Sequence, residues 1–172
     1  QVKVIEAGVS GKAPNLSLQG VTLPGSYFTF TIESPLPTSN IYFVPGDLIL
    51  TNEVPIKIMA NFPNIQIAFA RIVFTFDINK IQLSSEITTN PNLSTIVEKT
   101  AKSTANTQGK AIIVIAASPS NTPPSGIFEL ASFSIIPVGA ANSDPTTIGF
   151  VIADMQLVNA SGTAVSLIPT DA

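Results

Sequence analysis

The stretch "VPIKIMANFPNIQIAFARIVFTFD" (54–77) determines the fold class of this chain. Its two halves, 54–62 and 65–77, are rich in Val, Ile and Phe, which are enriched in β-strands. At their junction stands "NFPN" (61–64), whose Asn and Pro residues are typical of a tight turn. Two apolar runs joined by a turn predict two neighbouring strands of a sheet.

The same pattern continues along the chain on both sides of this stretch. The predicted strands are 41–51, 54–62, 65–77, 81–88, 110–118, 126–137, 146–159 and 164–169. Regularly spaced short strands with turn residues between them predict an all-β, antiparallel sandwich. Because "AIIVIAA" (111–117) is almost continuously apolar, we expect it to be a central strand.

One segment of the predicted sandwich has a mixed pattern. "NLSTIVEKTAKSTANT" (92–107) contains several β-branched residues and precedes the strong strand at 110–118. We therefore predict an extended hairpin arm here. A short helix, with Ser94 as its N-cap, is the alternative.

The chain before residue 41 carries a separate strand signal. In "GSYFTFTIE" (25–33), Phe28, Phe30 and Ile32 alternate with polar residues, which indicates a strand with one buried face. The proline-containing "SPLPTSN" (34–40) follows as a stiff connector. We therefore divide the chain into an N-terminal arm and linker (1–40) and a sandwich (41–172).

The composition limits the partners of the chain. Hydrophobic residues make up 45% of the 172 residues and charged residues 11%, against roughly 25% charged in a typical soluble domain. No run of about 18 apolar residues is present, so we expect no membrane insertion. The net charge is −3 and the few basic residues are scattered, so we expect no nucleic-acid binding.

The sequence lacks the residue types on which most catalytic sites depend. It has no histidine and no cysteine, and its acidic residues form no spaced pair. We therefore predict that the protein is not an enzyme and has no cofactor. The absence of Trp also disfavours an aromatic carbohydrate-binding face.

Three Asn-x-Ser/Thr sequons, at Asn15, Asn92 and Asn159, are candidates for N-glycosylation. Their relevance depends on secretion. A chain that begins at Gln1 fits a secreted protein after processing, and it fits a fragment equally well. We expect a secreted or cell-surface protein.

Three stretches resemble a cohesin module, the immunoglobulin-like sandwich of cellulosome scaffolds. They are "VPGDLILTNEVPIKIMANFPNIQIAFARIVFTFDINKIQL" (44–83), "SGIFELASFSIIPVG" (125–139) and "DMQLVNASGTAVSLIP" (154–169). In the first, Asp77 can close a turn through its side chain. In the third, Gly162 can supply the positive φ of a tight hairpin. This resemblance implies a module that binds a calcium-loaded dockerin helix pair on one sheet face.

The arm in front of the sandwich also resembles that of donor-strand-complemented surface filaments, such as chaperone–usher pili and archaeal threads. That resemblance implies a non-catalytic extracellular subunit that polymerises head to tail with copies of itself. We take this as the predicted function, with a dockerin-binding cohesin or a surface adhesin or S-layer-associated module as the alternative. The candidate donor residues are Val2, Val4, Phe28, Phe30 and Ile32.

Two points about the arm stay open at this stage. The arm can pack in its own sandwich or in that of a neighbour, and we favour the neighbour. The donated segment can be 25–33 or "VKVIEAGV" (2–9), whose poorer alternation would require a bulge.

Overall fold

The structure, a computed structural model, describes residues 39–46, 52–138, 146–167 and the backbone of 169–170. Within these ranges the chain forms two β-sheets, a short α-helix and a 3-10 helix. The strands are β1 (Asn40–Val44), β2 (Val54–Phe62), β3 (Ile67–Thr75), β4 (Ile81–Leu83), β5 (Thr88–Thr89), β6 (Thr95–Lys99), β7 (Lys110–Ala116), β8 (Gly126–Pro137), β9 (Gly149–Phe150), β10 (Gln156–Asn159), β11 (Ala164–Val165) and β12 (Pro169–Thr170). The helix α1 spans Lys102–Gln108, and the 3-10 helix spans Ile152–Asp154.

The first sheet, sheet A, has the strand order β12-β1-β2-β8-β4, and β5 also pairs with β8. All its pairings are antiparallel except that of β1 with β12, which is parallel. The long strands β2 and β8 lie at its centre, as their apolar sequences require. Sheet A therefore joins segments from both ends of the described chain.

The second sheet, sheet B, has the order β11-β10-β3-β7-β6, and β9 pairs with the far end of β3. Its pairings are all antiparallel. The strand β7 contains "AIIVIA" and lies between β3 and β6, so the sequence-based prediction of a central strand there is confirmed.

The core between the sheets is built from inward-facing aliphatic and aromatic side chains. Phe43 of β1 stacks on Phe150 of β9, with ring centroids 4.2 Å apart. Phe74 of β3 stacks on Phe133 of β8 at 5.1 Å. Each pair joins one sheet to the other, and such ring contacts add about 0.5–1.5 kcal/mol beyond the area that they bury. The antiparallel two-sheet sandwich predicted from the sequence is therefore confirmed.

Four of the predictions from the sequence need correction. The predicted strand 81–88 is divided into β4 and β5, which pair with β8 separately, because between them the hydroxyl of Ser85 accepts the hydrogen bond of the Ser134 N–H. The predicted strand 164–169 is divided as well, since β11 pairs in sheet B and β12 in sheet A. The segment 146–159 is not one strand, because the 3-10 helix interrupts it between β9 and β10. The backbone N–H of Val151 still donates to Val73, but the chain then leaves the ladder and returns to β3 only at Gln156. Continuous apolarity did not reveal this interruption, since the same residue types occur on both sides of it.

The segment 92–107 contains both of the structures that the sequence allowed. Residues 95–99 form β6, as the preferred prediction had it, whereas residues 102–108 form α1. The predicted cap at Ser94 is wrong, because the N-cap position is Ala101, which makes no side-chain capping bond. Instead, the carboxylate of Glu86 accepts a hydrogen bond of 3.1 Å from the backbone N–H of Lys102. A cap supplied from a distant segment leaves no local sequence signal.

Helix α1 covers the outer edge of β4. The side-chain Oδ1 of Asn106 accepts a hydrogen bond from the backbone N–H of Leu83 (2.8 Å), and its Nδ2 donates to the Leu83 carbonyl (2.9 Å). The ammonium of Lys102 donates to the carbonyl of Ser84 at 3.3 Å. A side-chain amide thus takes the place that a further strand would occupy beside β4.

Two turn predictions are confirmed at the level of single atoms. The side-chain Oδ1 of Asp77 accepts a hydrogen bond of 2.9 Å from the backbone N–H of Asn79, and the Asp77 carbonyl accepts from Lys80 and Ile81. Gly162 has a φ of +83° in the β10–β11 hairpin. Both residues act as the turn chemistry of their types predicts.

Candidate interaction surface

The outer face of sheet B carries a row of mostly apolar residues that extends over five strands. Side chains alternate along each strand, and residues paired across strands lie on the same side of a sheet. On β3, Phe74 and Ile72 point into the core, so Phe69, Arg71 and Thr75 point outward. The pairing register then fixes the outward residues of the neighbouring strands.

The first row across this face is almost entirely apolar. Phe69 lies opposite Val158 of β10 on one side and Ala116 of β7 on the other. Ala164 of β11 and Thr95 of β6 extend the row at its two ends. Phe69, Val158 and Ala116 are half-buried, so their apolar surface is in part accessible to a partner.

The second row across this face contains an ion pair that spans an apolar residue. Arg71 of β3 and Glu98 of β6 lie on either side of Val114, the β7 residue paired with both of them. Their side chains meet at 3.5 Å and are 36% and 50% exposed. Val114 is only 5% exposed. Because the pair is so open to water, it adds little to stability, and it places a polar group beside the apolar row.

The 3-10 helix closes the face at the opposite end from Phe69. It packs on β3, where Val73 is fully buried although its position in the strand is outward-facing. The Asp154 carbonyl accepts a 3.0 Å hydrogen bond from Nε of Arg71, and the Asp154 carboxylate pairs with Lys110 at 3.2 Å. Ile152 remains 57% exposed beside these contacts.

The outer face of sheet A is more polar at its centre. Lys57 and Glu129 form an ion pair of 3.0 Å, next to Ser132. A hydrogen bond from the Ser132 side chain and the nearby Lys57 hold the pKa of Glu129 below its ordinary value, although partial burial acts in the opposite direction. Both outer faces therefore carry an ion pair, and sheet B differs in the uncharged, mostly apolar row that crosses its five strands beside that pair.

The arm residues predicted to take part in strand addition lie outside the described residues. These are Val2, Val4, Phe28, Phe30 and Ile32, and the sequon at Asn15 lies outside as well. Their proposed roles remain predictions from the sequence.

The other two sequons lie in turns of the sandwich. Asn92 is exposed, and its backbone N–H donates to the side chain of Asn90. Asn159 ends β10, and its Oδ1 accepts hydrogen bonds from the N–H groups of Ser161 and Thr163 and from the Ser161 hydroxyl. Both side chains therefore lie near the surface, and whether either one carries a glycan stays a prediction.

Nothing in the described part of the chain points to a catalytic or metal centre. Among those residues, no three His, Cys, Asp or Glu side chains come together in a group that could hold a metal ion. In the same ranges, no helix has both the length and the apolarity that crossing a membrane requires. The outer face of sheet B is therefore the candidate functional site that the geometry supports.

The residues of this face were not identified from the sequence. The apolar run 65–77 predicts a strand, and the structure forms β3 there, but the prediction did not separate the two sides of the strand. The polar residues Arg71 and Thr75 could have identified the outward side of β3. They are four positions apart and therefore share one side of the strand, together with Phe69 and Val73. The partners of Phe69 could not have been found in this way, because they depend on the register between strands.

Comparison with known proteins identifies the fold. No protein-family model matches the chain, and no curated protein matches it in sequence. Solved structures do match. The third ScaC cohesin of Acetivibrio cellulolyticus, in complex with the ScaB dockerin, is similar with a TM-score of 0.64 and 14% identity, covering 78% of this chain and 95% of that one.

Two further structures show the same likeness. One is the seventh ScaB type I cohesin of Pseudobacteroides cellulosolvens, with a TM-score of 0.63, 10% identity and coverage of 77% and 88% of the two chains. The other is the non-cellulosomal cohesin of the hyperthermophilic archaeon Archaeoglobus fulgidus. Its TM-score is 0.58 and its identity 9%, and the match covers 77% of this chain and 86% of that one. At such identities the likeness concerns the fold, and it confirms the cohesin-like β-sandwich expected from the sequence motifs.

Proposed function

We propose that this protein is a non-catalytic recognition module that binds another protein through the outer face of sheet B. The observation that carries the proposal is the apolar row centred on Phe69, which crosses all five strands of the sheet path without a charged residue. A half-buried aromatic side chain surrounded by small apolar residues has the character of an interface hot spot.

The charged groups around the row suit the rim of an interface. Arg71 pairs with Glu98 and Lys110 pairs with Asp154, so the opposite charges balance. Arg71 also lies directly beside the apolar row, and Arg is enriched among the residues that dominate binding energy. A partner with an apolar centre and a few polar groups at its margin fits this arrangement.

The partner class that we propose is a dockerin-like helical module. Several structural neighbours are cohesins solved in complexes with dockerins, as in the ScaC–ScaB pair of Acetivibrio cellulolyticus. A five-stranded sheet face can accept the side of a helix pair. Because such recognition takes place between extracellular modules in the resembling family, we also propose a secreted or cell-surface location.

The test is binding of purified, calcium-loaded dockerin modules, measured by calorimetry. We expect at least one module of a diverse panel to bind, and we expect Phe69→Ala to weaken its binding by about tenfold or more. Tyr42→Ala is the matched control, since Tyr42 is a half-buried aromatic residue on sheet A. Failure of the entire panel to bind would contradict the dockerin-like partner. Equal losses for the two variants would contradict the role of sheet B.

A second candidate function is the head-to-tail filament subunit predicted from the sequence. The observation that favours it is the alternation of Phe28, Phe30 and Ile32 ahead of the sandwich. Its test is electron microscopy and light scattering of the full chain at high concentration. Growth beyond two subunits that is abolished by Phe30→Lys would support it, and a particle that never exceeds two subunits would refute it.

A further inference from the structure

Strand β6 is an edge strand whose outer side has no partner in the described chain. It ends the strand order of sheet B, and all five of its residues are exposed. Ile96 is 50% exposed and Val97 is 65% exposed, although both are good strand formers with apolar side chains. An edge strand of this kind can pair with a further strand.

The other sheet ends present a much smaller edge. The outer side of β4 is bound by the amide of Asn106 on α1. The terminal strands β11 and β12 are only two residues long each. Of the strands that end the two sheet orders, β6 is therefore the longest and has no helix beside it like the one beside β4.

We propose that β6 is a self-association surface, at which the β6 strands of two copies of this chain pair antiparallel about a two-fold axis. The sequence "TIVEK" (95–99) favours a second copy as the occupant because it is self-complementary. When Ile96 lies opposite Val97 of the other copy, the two-fold axis places Val97 opposite Ile96 as well. In each copy, Ile96 and Val97 then each face an apolar side chain of the other copy.

The charges of β6 also permit this register. Thr95 lies opposite Glu98 of the second copy, so no two carboxylates face each other. The strand contains one acid and one base, Glu98 and Lys99, and therefore has no net charge to oppose pairing. Glu98 keeps its ion pair with Arg71, and the Lys99 ammonium keeps its hydrogen bond to the Ile87 carbonyl inside each copy.

The β-bulge in β6 brings the two apolar residues together. The register between β6 and β7 shifts between Ile96 and Glu98, so Val97 is the extra residue of the strand. A bulge sets two successive residues opposite one residue of the partner strand. Ile96 and Val97 are thus adjacent on the exposed edge, whereas a regular strand would direct them to opposite faces.

The pairing has a consequence for the arrangement of the outer faces of sheet B. A two-fold axis perpendicular to the sheet brings the outer faces of both copies to the same side. The dimer would then present two copies of the apolar row side by side. This arrangement would allow a partner with two linked modules to bind more tightly by avidity.

The experiment is sedimentation equilibrium of the full chain without any partner, so its outcome is independent of the proposed recognition function. We expect the wild-type mass to rise with concentration from 18.0 kDa toward twice that value and to stop there. Val97→Lys should weaken association by about tenfold or more, because a charge at the two-fold contact would face apolar surface. Ile127→Lys is the matched control: Ile127 is 68% exposed on the outer face of sheet A, and its replacement should leave the dimer unchanged.

Hydrogen exchange locates the contact. The β6 amides should exchange more slowly at high than at low protein concentration in the wild type, and equally at both in Val97→Lys. A wild type that stays monomeric at about millimolar concentration, or a Val97→Lys variant that dimerises as well as the wild type, would overturn the proposal. Loss of the dimer in Phe30→Lys with retention in Val97→Lys would assign self-association to the N-terminal arm instead.

Discussion

Strands β4 and β6 both lie at the end of a sheet, but only the outer edge of β4 is hydrogen-bonded by another described segment. Beside β4, the Asn106 amide binds both the N–H and the C=O of Leu83. Beside β6, no described helix or strand takes the corresponding place, and Ile96 and Val97 remain exposed. Proteins commonly cover or shorten a sheet edge to prevent pairing with other chains. The contrast teaches that the two sheet ends differ within the described residues: a side-chain amide completes the hydrogen bonding at one edge, and the other edge is the one at which we propose association.

The connection between β6 and β7 accounts for this asymmetry. The chain leaves β6 at Lys99, forms α1 immediately, and returns as β7 after Gly109. Helix α1 therefore packs against β4 of sheet A while its flanking strands belong to sheet B. A single ten-residue connection (100–109) covers one edge, and because it moves away from β6 it leaves the other edge without a partner among the described residues.

The largest expected effect tests the covered edge. Asn106→Leu should lower the free energy of unfolding by about 2–4 kcal/mol, because it leaves a partly buried N–H and a partly buried C=O without partners. Urea unfolding monitored by circular dichroism measures the change.

Asn121→Leu is the control for this substitution. The Asn121 amide donates to the Pro91 carbonyl and to the Ser94 hydroxyl, but it does so in a solvent-exposed position. Its loss should cost no more than about 1 kcal/mol. Equal losses for the two variants would show that Asn106 does not protect an edge in the way described.

The next effect concerns the residue that holds α1 in place. Gly109 has a φ of +64°, and a Cβ added there would lie 2.7 Å from the carbonyl oxygen of Phe76. Gly109→Ala should therefore cost about 2 kcal/mol, through left-handed strain and the close approach of backbone. Gly162→Ala is the control, since its φ of +83° brings the strain but no neighbouring atom within 4 Å. A cost at Gly109 that is no larger than at Gly162, measured by thermal unfolding, would contradict the steric argument.

Much of the sandwich could be predicted because single strands carry their own signals. Strands β2 and β8 have the bounds that the sequence indicated, since turn residues flank each apolar run. The turns at Asp77 and Gly162 were predictable for the same reason, as each depends on the chemistry of one residue. The order of the cohesin-like motifs along the chain then indicated which sandwich fold these strands and turns form.

The parts that could not be predicted depend on residues far apart in the chain. Asn106 lies in a polar stretch with no edge-protecting signal of its own, and its partner Leu83 is 23 positions away. The row through Phe69 likewise requires the register of β3 against both β7 and β10. Local patterns identify strands and turns, whereas the interaction surface arises only when separate strands are aligned.

The smallest expected effect tests the open edge. At micromolar protein concentration, Val97→Lys should change the free energy of unfolding by less than about 0.5 kcal/mol, because Val97 is 65% exposed and its removal leaves no cavity. At high concentration, pairing through β6 would stabilise the wild type by mass action, and its melting temperature should rise with concentration while that of Val97→Lys stays constant. Calorimetric scans over a hundredfold range of concentration distinguish the two behaviours. A large loss of stability in dilute Val97→Lys would mean that this edge is already covered within one chain, as the edge of β4 is.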